Sequence, residues 1–369
     1  MSDIIAAAGQ FIRQGRVIDA REFGNGNIND TFLVTLDTKI DGGGKRHFVL
    51  QRINTHVFRR PEHVMHNMRI STGHIRRRLE FDPPGPDRRW EVLQVLTAHD
   101  GADHWIGADG SFWRAVSFIE GSQSFEAIRD FNHAGEVGYA LGMFHALLSD
   151  LPAETLKDTL EGFHITPLYL HHYDEVLAKF GAAGSREVKH CMQFVNKRSD
   201  WAHILENARA EGRLHLRPVH GDPKVSNIMM DAVTGKAVSV VDLDTVKPGL
   251  IHYDIGDCLR SCCNRLGEET EAWEAVSFDT DLCRAILQGY LSMAREFLTV
   301  NDHAYLYDSV RLIAFELGLR FFTDYLEGNV YFKVRRPEHN LARALVQFKL
   351  TESIESQEKT VRNIMRDVR

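Results

Sequence analysis

A chain of 369 residues exceeds what one hydrophobic core usually organises, so two closely packed lobes are expected. Hydrophobic and charged contents of 43% and 26% are those of a globular protein, and 44 basic against 51 acidic residues give a net charge of -7. That balance argues against a nucleic-acid binder relying on phosphate neutralisation. No run reaches the roughly 18 apolar residues of a membrane span, and the acidic start Met1-Ser2-Asp3 has no basic n-region of a signal peptide. Five cysteines, an odd number, suit free thiols in a reducing compartment, so a cytoplasmic location is expected.

Ile4, Ile5, Ala8, Phe11 and Ile12 fall on one helical face, and the spacing predicts a short amphipathic helix over 4–12. Thr31–Leu36 and His47–Leu50 read as strands of a hairpin turned by Asp41-Gly42-Gly43-Gly44. A helix is predicted over 62–79, then a loop at Asp82-Pro83-Pro84-Gly85-Pro86, then strands at 91–97 and 111–118 with Asp109-Gly110 as the turn between them. Beyond 118 the pattern becomes mostly helical. Ala134, Val137, Leu141, Phe144 and Leu148 mark one strong amphipathic helix, and helices are predicted through 168–210 and 268–350. Short strands are expected at 228–230 and 238–241, and a surface helix after Thr351. Cys258, Cys262 and Cys263 lack the spacing of a zinc site and read as small buried helix residues.

The informative segment is His220-Gly221-Asp222-Pro223-Lys224-Val225-Ser226-Asn227, followed 15 residues after Asn227 by Asp242 in Val241-Asp242-Leu243-Asp244. Phosphoryl transfer needs a carboxylate beside the acceptor hydroxyl, a second carboxylate with an amide oxygen to hold Mg²⁺ against a triphosphate, and a cation near the transferred group. Asp222 suits the first role, Asn227 and Asp242 the second, and Lys224 the third. The spacing is that of a kinase catalytic loop with Gly in place of Arg after the His.

His220-Gly221-Asp222 with Asn227 and Asp242 resembles the aminoglycoside phosphotransferase-like superfamily, which includes choline, homoserine and fructosamine kinases. Gly24–Phe32, Leu50–Asn54 and Leu319–Leu326 further resemble the N-acetylhexosamine 1-kinase group. The resemblance covers almost the whole chain. It implies an α+β, bilobal protein-kinase-like fold: a small antiparallel-sheet N-lobe over 1–118, a hinge at 119–124, and a larger helical C-lobe over 125–369. It further implies ATP and Mg²⁺ as cofactors, Asp222 as base, Asn227 and Asp242 as metal ligands, and Asp244 as a further ligand or its support. His220 would brace the loop, and Phe118 and Glu120 would sit where the hinge meets adenine.

Two departures stand out. Gly24-Asn25-Gly26-Asn27 opens a turn where kinases cover the phosphates, but Asn29 replaces the third glycine. On the third strand Gln51 occupies the place of the kinase lysine, with Arg52 adjacent but facing the other way unless a bulge turns it. If Gln51 makes only neutral hydrogen bonds, the charge must come from elsewhere. Glu62 is the candidate helix glutamate.

For the acceptor, the stretch 320–336 mixes Arg320, Lys333, Arg335 and Arg336 with Asp324 and Glu327, which is no anionic trap for a polycation. A neutral sugar bound by Arg320 and Asp324 and stacked on Tyr331 suits it better. Choline, homoserine or an aminoglycoside as acceptor, and a catalytically silent kinase-like binding protein, are the alternatives. A metal hydrolase is rejected, since no His-x-x-x-His occurs.

Overall fold

The apolar alternation of the N-terminal third builds one antiparallel sheet. In the computed structural model, which describes residues 2–24, 28–38, 44–180 and 184–369, a short helix α1 (Ser2–Gly9) precedes β1 (Arg16–Glu22), β2 (Asp30–Asp37) and β3 (Lys45–Ile53). Helix α2 (Pro61–Phe81) follows, then β4 (Val95–Leu96), β5 (Trp105–Ile106) and β6 (Phe112–Ser117). The sheet order is β1-β2-β3-β6-β4, with β5 also on β6. The β2–β3 pair runs from Asp30↔Arg52 to Asp37↔Lys45, as the hairpin pattern predicts. Its turn at 39–43 lies outside the described residues. The core between α1 and this sheet comprises Ala8 and Phe11 with Phe32, Val34, Phe48 and Leu50.

Helix α2 matches its sequence pattern. Pro61 opens it, where the missing N–H costs nothing, and Asp82-Pro83-Pro84 ends it. The strand expected at 91–97 is mostly irregular. Its Glu91 N–H leaves the sheet and donates to Val238 O at 2.8 Å, so only Val95 and Leu96 pair with β6. The Asp109-Gly110 turn therefore joins β5 to β6, with Gly107 N–H donating to Ser111 O at 2.8 Å.

The chain continues with β7 (Ser122–Gln123), α3 (Phe131–Leu148), α4 (Thr166–Phe180), α5 (Arg186–Asn196) and α6 (Ile204–Ala210). Next come β8 (Arg217–Val219), β9 (Ile228–Asp231), β10 (Ala237–Val240) and β11 (Lys247–Gly249). It ends with α7 (Ile251–Cys262), α8 (Thr280–Ala294), α9 (Val300–Ala304), α10 (Leu306–Leu326), α11 (His339–Ser356) and α12 (Glu358–Asp367). Asp130 caps α3 by accepting from His133 N–H at 2.8 Å. Helices α3 and α8 cross at backbone contact: a Cβ on Gly138 would lie 1.9 Å from Ile286 O, and one on Gly289 1.9 Å from Gly135 O.

The broad helical stretches are more broken than periodicity indicates. Residues 327–338 form a loop, turned by Gly328 and Asn329 in left-handed conformation. The final helix is amphipathic rather than merely superficial, burying Val361, Ile364 and Met365. Cys258 and Cys262 are buried in α7 and Cys263 at its C-cap, as small core residues. Among the described residues no helix is long and apolar enough to cross a membrane. Arg114 of β6 and Asn29 before β2 reach Asp244, between β10 and β11, and the candidate site lies at that junction.

Candidate active site

Strand β8 delivers His220 and the turn that follows. Gly221 has φ +86°, and a Cβ there would lie 2.8 Å from Thr245 O and 2.9 Å from Thr245 Cβ. Conformation and space both require glycine, which accounts for its presence where kinases carry Arg. Asp254, in the first turn of α7, fixes this turn: its buried carboxylate accepts from His220 N–H at 2.6 Å, Gly221 N–H at 2.8 Å and His145 Nε2 at 2.8 Å. His220 Nε2 donates to Val241 O at 2.9 Å, and its Nδ1 accepts from Asp222 N–H at 3.3 Å. That pattern is the neutral imidazole, in keeping with burial, which lowers its pKa. His220 thus ties the loop to the end of β10, the bracing expected of it.

Burial pushes the Asp254 carboxyl up, but the His145 hydrogen bond and the charges and amides around it outweigh burial and hold it below the usual value. Asp254→Ala strands two buried amides and His145, and should cost roughly 3 to 5 kcal/mol of stability. A depressed carboxyl contributes fully above its unfolded pKa of about 3.9 and loses that contribution as pH falls through the folded value. Urea unfolding should thus show a wild-type advantage over Asp254→Asn that is steady from pH 7 to about 4 and shrinks below. A variant as stable as wild type at pH 7 would refute the clamp.

The loop then gathers the charged groups. Lys224 Nζ lies 2.8 Å from Asp222 Oδ2. Burial disfavours the charged amine, but the Asp222 and Asp242 carboxylates more than compensate and raise its pKa. Asn227 Nδ2 donates to Asp222 O at 2.8 Å and reaches Asp222 Oδ2 at 3.4 Å, which leaves its Oδ1 as the free acceptor. Val241 N–H donates to Asn227 O at 2.9 Å, drawing the end of β10 alongside. Asp242 follows in the left-handed region, φ 64° and ψ 56°. Its carboxyl is pushed up to about 7, first by burial, then by the charges of Asp244 and Asp222.

A carboxylate crowded by two others is what a hard cation relieves, and Asp242, Asp244 and Asn227 Oδ1 are oxygen donors suited to Mg²⁺. Among the described residues no three His, Cys, Asp or Glu side chains are placed to hold a metal by themselves. The protein could thus supply part of a magnesium shell, as is usual where phosphates and water complete it.

Asp244 is buried, and the N-terminal sheet reaches across to it. Asn29 Nδ2 donates to its Oδ2 at 2.5 Å, while Asn29 Oδ1 accepts from Asn54 N–H at 2.8 Å. Arg114 Nη2 meets Asp244 Oδ1 as an ion pair. Arg114 stands opposite Gln51 in the β3–β6 register. Gln51 Oε1 accepts from Arg114 Nε at 3.0 Å and Nη2 at 2.7 Å, and Gln51 Nε2 donates to Thr31 Oγ1 at 3.1 Å.

Several sequence expectations are corrected here. Arg52 is not turned into the cleft: no bulge interrupts β3 opposite β6, and Arg52 pairs on the other sheet face with Asp30, its Nε 2.8 Å from Oδ2. Glu62 is exposed in the first turn of α2. The buried contact from α2 is instead Asn67, which donates to Lys157 O at 2.7 Å and Val246 O at 2.8 Å. Gly24 has φ +77°, and Asn25, Gly26 and Asn27 lie outside the described residues. At the expected hinge, Phe118 edges against Phe23 and His47 at 5.9 and 5.7 Å. The Glu120 carboxylate meets His47 Nδ1 at 2.8 Å, and its carbonyl accepts from Arg89 Nη2 at 2.9 Å.

A cavity of about 650 Å³ has Arg320, Asp324 and Tyr331 all in its wall. The Arg320 guanidinium sits 5.2, 5.0 and 5.5 Å from the ring centroids of Phe163, Tyr169 and Phe332. Tyr331 is 56% exposed, at the rim. Asp324 does not present a free carboxylate. It accepts from Tyr331 N–H at 2.7 Å, Phe332 N–H at 3.0 Å and Asn340 Nδ2 at 2.8 Å, so its charge holds the 329–332 turn in place.

Asp222 is not among the cavity's lining residues. The link is His164, next to the lining Phe163, whose Nε2 donates to Gly221 O at 2.9 Å and Nδ1 to Glu316 Oε1 at 2.9 Å. Thr166 donates to the other Glu316 oxygen at 2.6 Å. Burial opposes the imidazolium, but Glu316 overcomes it and raises the His164 pKa.

Arg114, Asp254, His164 and Glu316 escaped the sequence reading. Only Arg114 left a trace there, as the one charge inside the apolar run Phe112-Trp113-Arg114-Ala115-Val116. The other three are brought in by tertiary packing.

Residues 19–294 match the model of the phosphotransferase enzyme family. The fold is similar to that of a microcompartment-associated aminopropanol kinase, with 15% identity, 97% of each chain covered and a TM-score of 0.63. It is also similar to an aminoglycoside phosphotransferase from Alicyclobacillus acidocaldarius, with 14% identity, 97% of this chain and 96% of that one covered, and a TM-score of 0.59. An ethanolamine kinase from Plasmodium vivax shares 13% identity over 89% of this chain and 82% of its own, with a TM-score of 0.54. At these identities the likeness establishes the bilobal protein-kinase-like fold. The family match spans more than half of the sequence, and the chain belongs to the phosphotransferase enzyme family.

Proposed function

We propose that this phosphotransferase moves the γ-phosphate of ATP onto a hydroxyl of a neutral sugar, an N-acetylhexosamine being the favoured acceptor. The observation that carries the reaction is the convergence of Asp222, Lys224, Asn227 and Asp242 on one braced loop. Asp222 accepts the hydrogen bond of the acceptor hydroxyl and takes its proton as the oxygen attacks phosphorus. Lys224, held protonated, offsets charge on the transferred group. Asn227 Oδ1 and Asp242, with Asp244 beside them, would hold Mg²⁺, which neutralises triphosphate charge when bound. Residues 119–124 serve as the hinge between the lobes of 1–118 and 125–369, with the Phe118–Glu120 backbone facing adenine.

The preference for a neutral acceptor rests on the cavity's carboxylates, each of which has a partner. Asp158 pairs with Lys247 at 2.6 Å, Glu161 with Arg60 at 3.9 Å and Glu327 with His172 at 3.1 Å, while Asp324 holds the 329–332 turn. The aromatic wall that could cage a quaternary amine already surrounds Arg320. A cationic acceptor would therefore meet carboxylates that already have partners and an occupied cage. Arg320 and Tyr331 are left to hydrogen-bond and stack on a sugar.

The test is ADP release from MgATP with N-acetylglucosamine, N-acetylgalactosamine, choline, homoserine and kanamycin. Release dependent on an N-acetylhexosamine is the expected result. Turnover of choline with no sugar active would overturn the acceptor assignment, and failure to bind MgATP would favour a silent kinase-like protein.

A further inference from the structure

We propose that Arg114 is the phosphate-binding cation of the nucleotide site. In the free enzyme it is held by Asp244, and it transfers to phosphate oxygens as Asp244 transfers to the divalent cation. The inference rests on the kinase reading of the site and adds a residue from a different strand.

Three observations carry it. Arg114 is 1% exposed, yet its Nη1 has no hydrogen-bond partner among the described residues. Its Nη2 is engaged by Gln51 and by the ion pair with Asp244 Oδ1, which leaves Nη1 as the open donor. A buried guanidinium N–H left unpaired beside the carboxylates of the site is a donor available to an anion.

Second, the strand register makes Gln51 and Arg114 complementary. Gln51 Oε1 takes two of the guanidinium N–H groups and aims the rest toward Asp244. A lysine at 51 would instead place a second cation against the guanidinium. One positive charge therefore serves this face, on β6 rather than β3. The other cations of these two strands, Lys45, Arg46 and Arg52, lie in exposed positions.

Third, the exchange conserves charge pairing. Moving either partner of a buried pair alone is costly, because the other is stranded. A nucleotide triphosphate with its divalent cation supplies an anion for Arg114 and a cation for Asp244 together. Nucleotide without the cation frees Arg114 only by stranding Asp244, so it should bind more weakly. Asn29, on Asp244 Oδ2, keeps that carboxylate oriented during the exchange.

The experiment is calorimetric titration of MgATP, metal-free ATP and adenosine into wild type, Arg114→Met and the swap Gln51→Lys/Arg114→Gln. The ratio of adenosine Kd to MgATP Kd should fall about 10- to 100-fold in Arg114→Met, the scale of a charge-assisted hydrogen bond, with adenosine affinity unchanged. The swap, which keeps one cation and one amide on this face, should restore the ratio to within a few-fold of wild type. An unchanged ratio in Arg114→Met would overturn the assignment while leaving the kinase reading in place. Wild type that binds adenosine but gains nothing from the triphosphate would overturn both. Should Arg114→Met not fold, Arg114→Gln, which keeps an amide beside Gln51, takes its place: a lowered ratio supports the inference and an unchanged one refutes it.

Discussion

Asp222→Asn is expected to lower kcat by about 10²-fold or more while leaving MgATP affinity nearly unchanged, the scale of a lost general base. Lys224 Nζ sits 2.8 Å from the carboxylate Oδ2, and Asn227 Nδ2 anchors the Asp222 backbone carbonyl at 2.8 Å and lies 3.4 Å from Oδ2. An asparagine fits the same space and keeps the backbone contacts, but it cannot take the acceptor's proton. It also releases Lys224 from a charge partner, which should show as a small change in nucleotide affinity rather than a large one. Steady-state kinetics paired with a nucleotide titration separates the two effects. Full turnover in the variant would mean that another group is the base.

Asp242→Ala should abolish magnesium-dependent nucleotide binding. Asp242 lies at the centre of the carboxylate group, with Asp244 and Asp222 both raising its pKa. Removing it takes away the ligand that most needs a cation and disperses the negative field that attracts one. Because Asp242 adopts a left-handed backbone, alanine there adds a conformational cost. Asp242→Asn, which tolerates that conformation, is the matched control. Both variants should bind ATP no better with Mg²⁺ than with EDTA. A normal magnesium dependence in Asp242→Asn would place the metal elsewhere.

The Gly221 turn shows how local sequence and tertiary packing divide the account. A Gly between His and Asp is visible in the chain, but its necessity comes from Thr245, 24 residues later, whose carbonyl and Cβ occupy the space a side chain would need. The strand alternation through Phe48–Arg52 likewise foretells that Gln51 and Arg52 face opposite sides. Which side meets the cleft depends on β6 pairing with β3, a contact between residues about 60 positions apart.

Asp324 is the converse case. Its type and its neighbours suggest a sugar contact, yet two backbone amides and Asn340 occupy its oxygens. A carboxylate that ends a helix before a tight turn is drawn to the exposed N–H groups of that turn, and sequence carries no mark of whether any valence remains.

By itself the sequence determined most of the elements and the spacing of the reactive groups, because both are local: apolar periodicity sets helix and strand, and Asp222, Lys224, Asn227 and Asp242 lie within one short stretch of chain. The tertiary structure alone decided which distant charges complete the site. Arg114 arrives by strand register, Asp254 by the packing of α7 beneath the loop, and His164 from the turn before α4 with Glu316 from α10. Each partnership is fixed only when burial excludes water and leaves no other hydrogen bond to make.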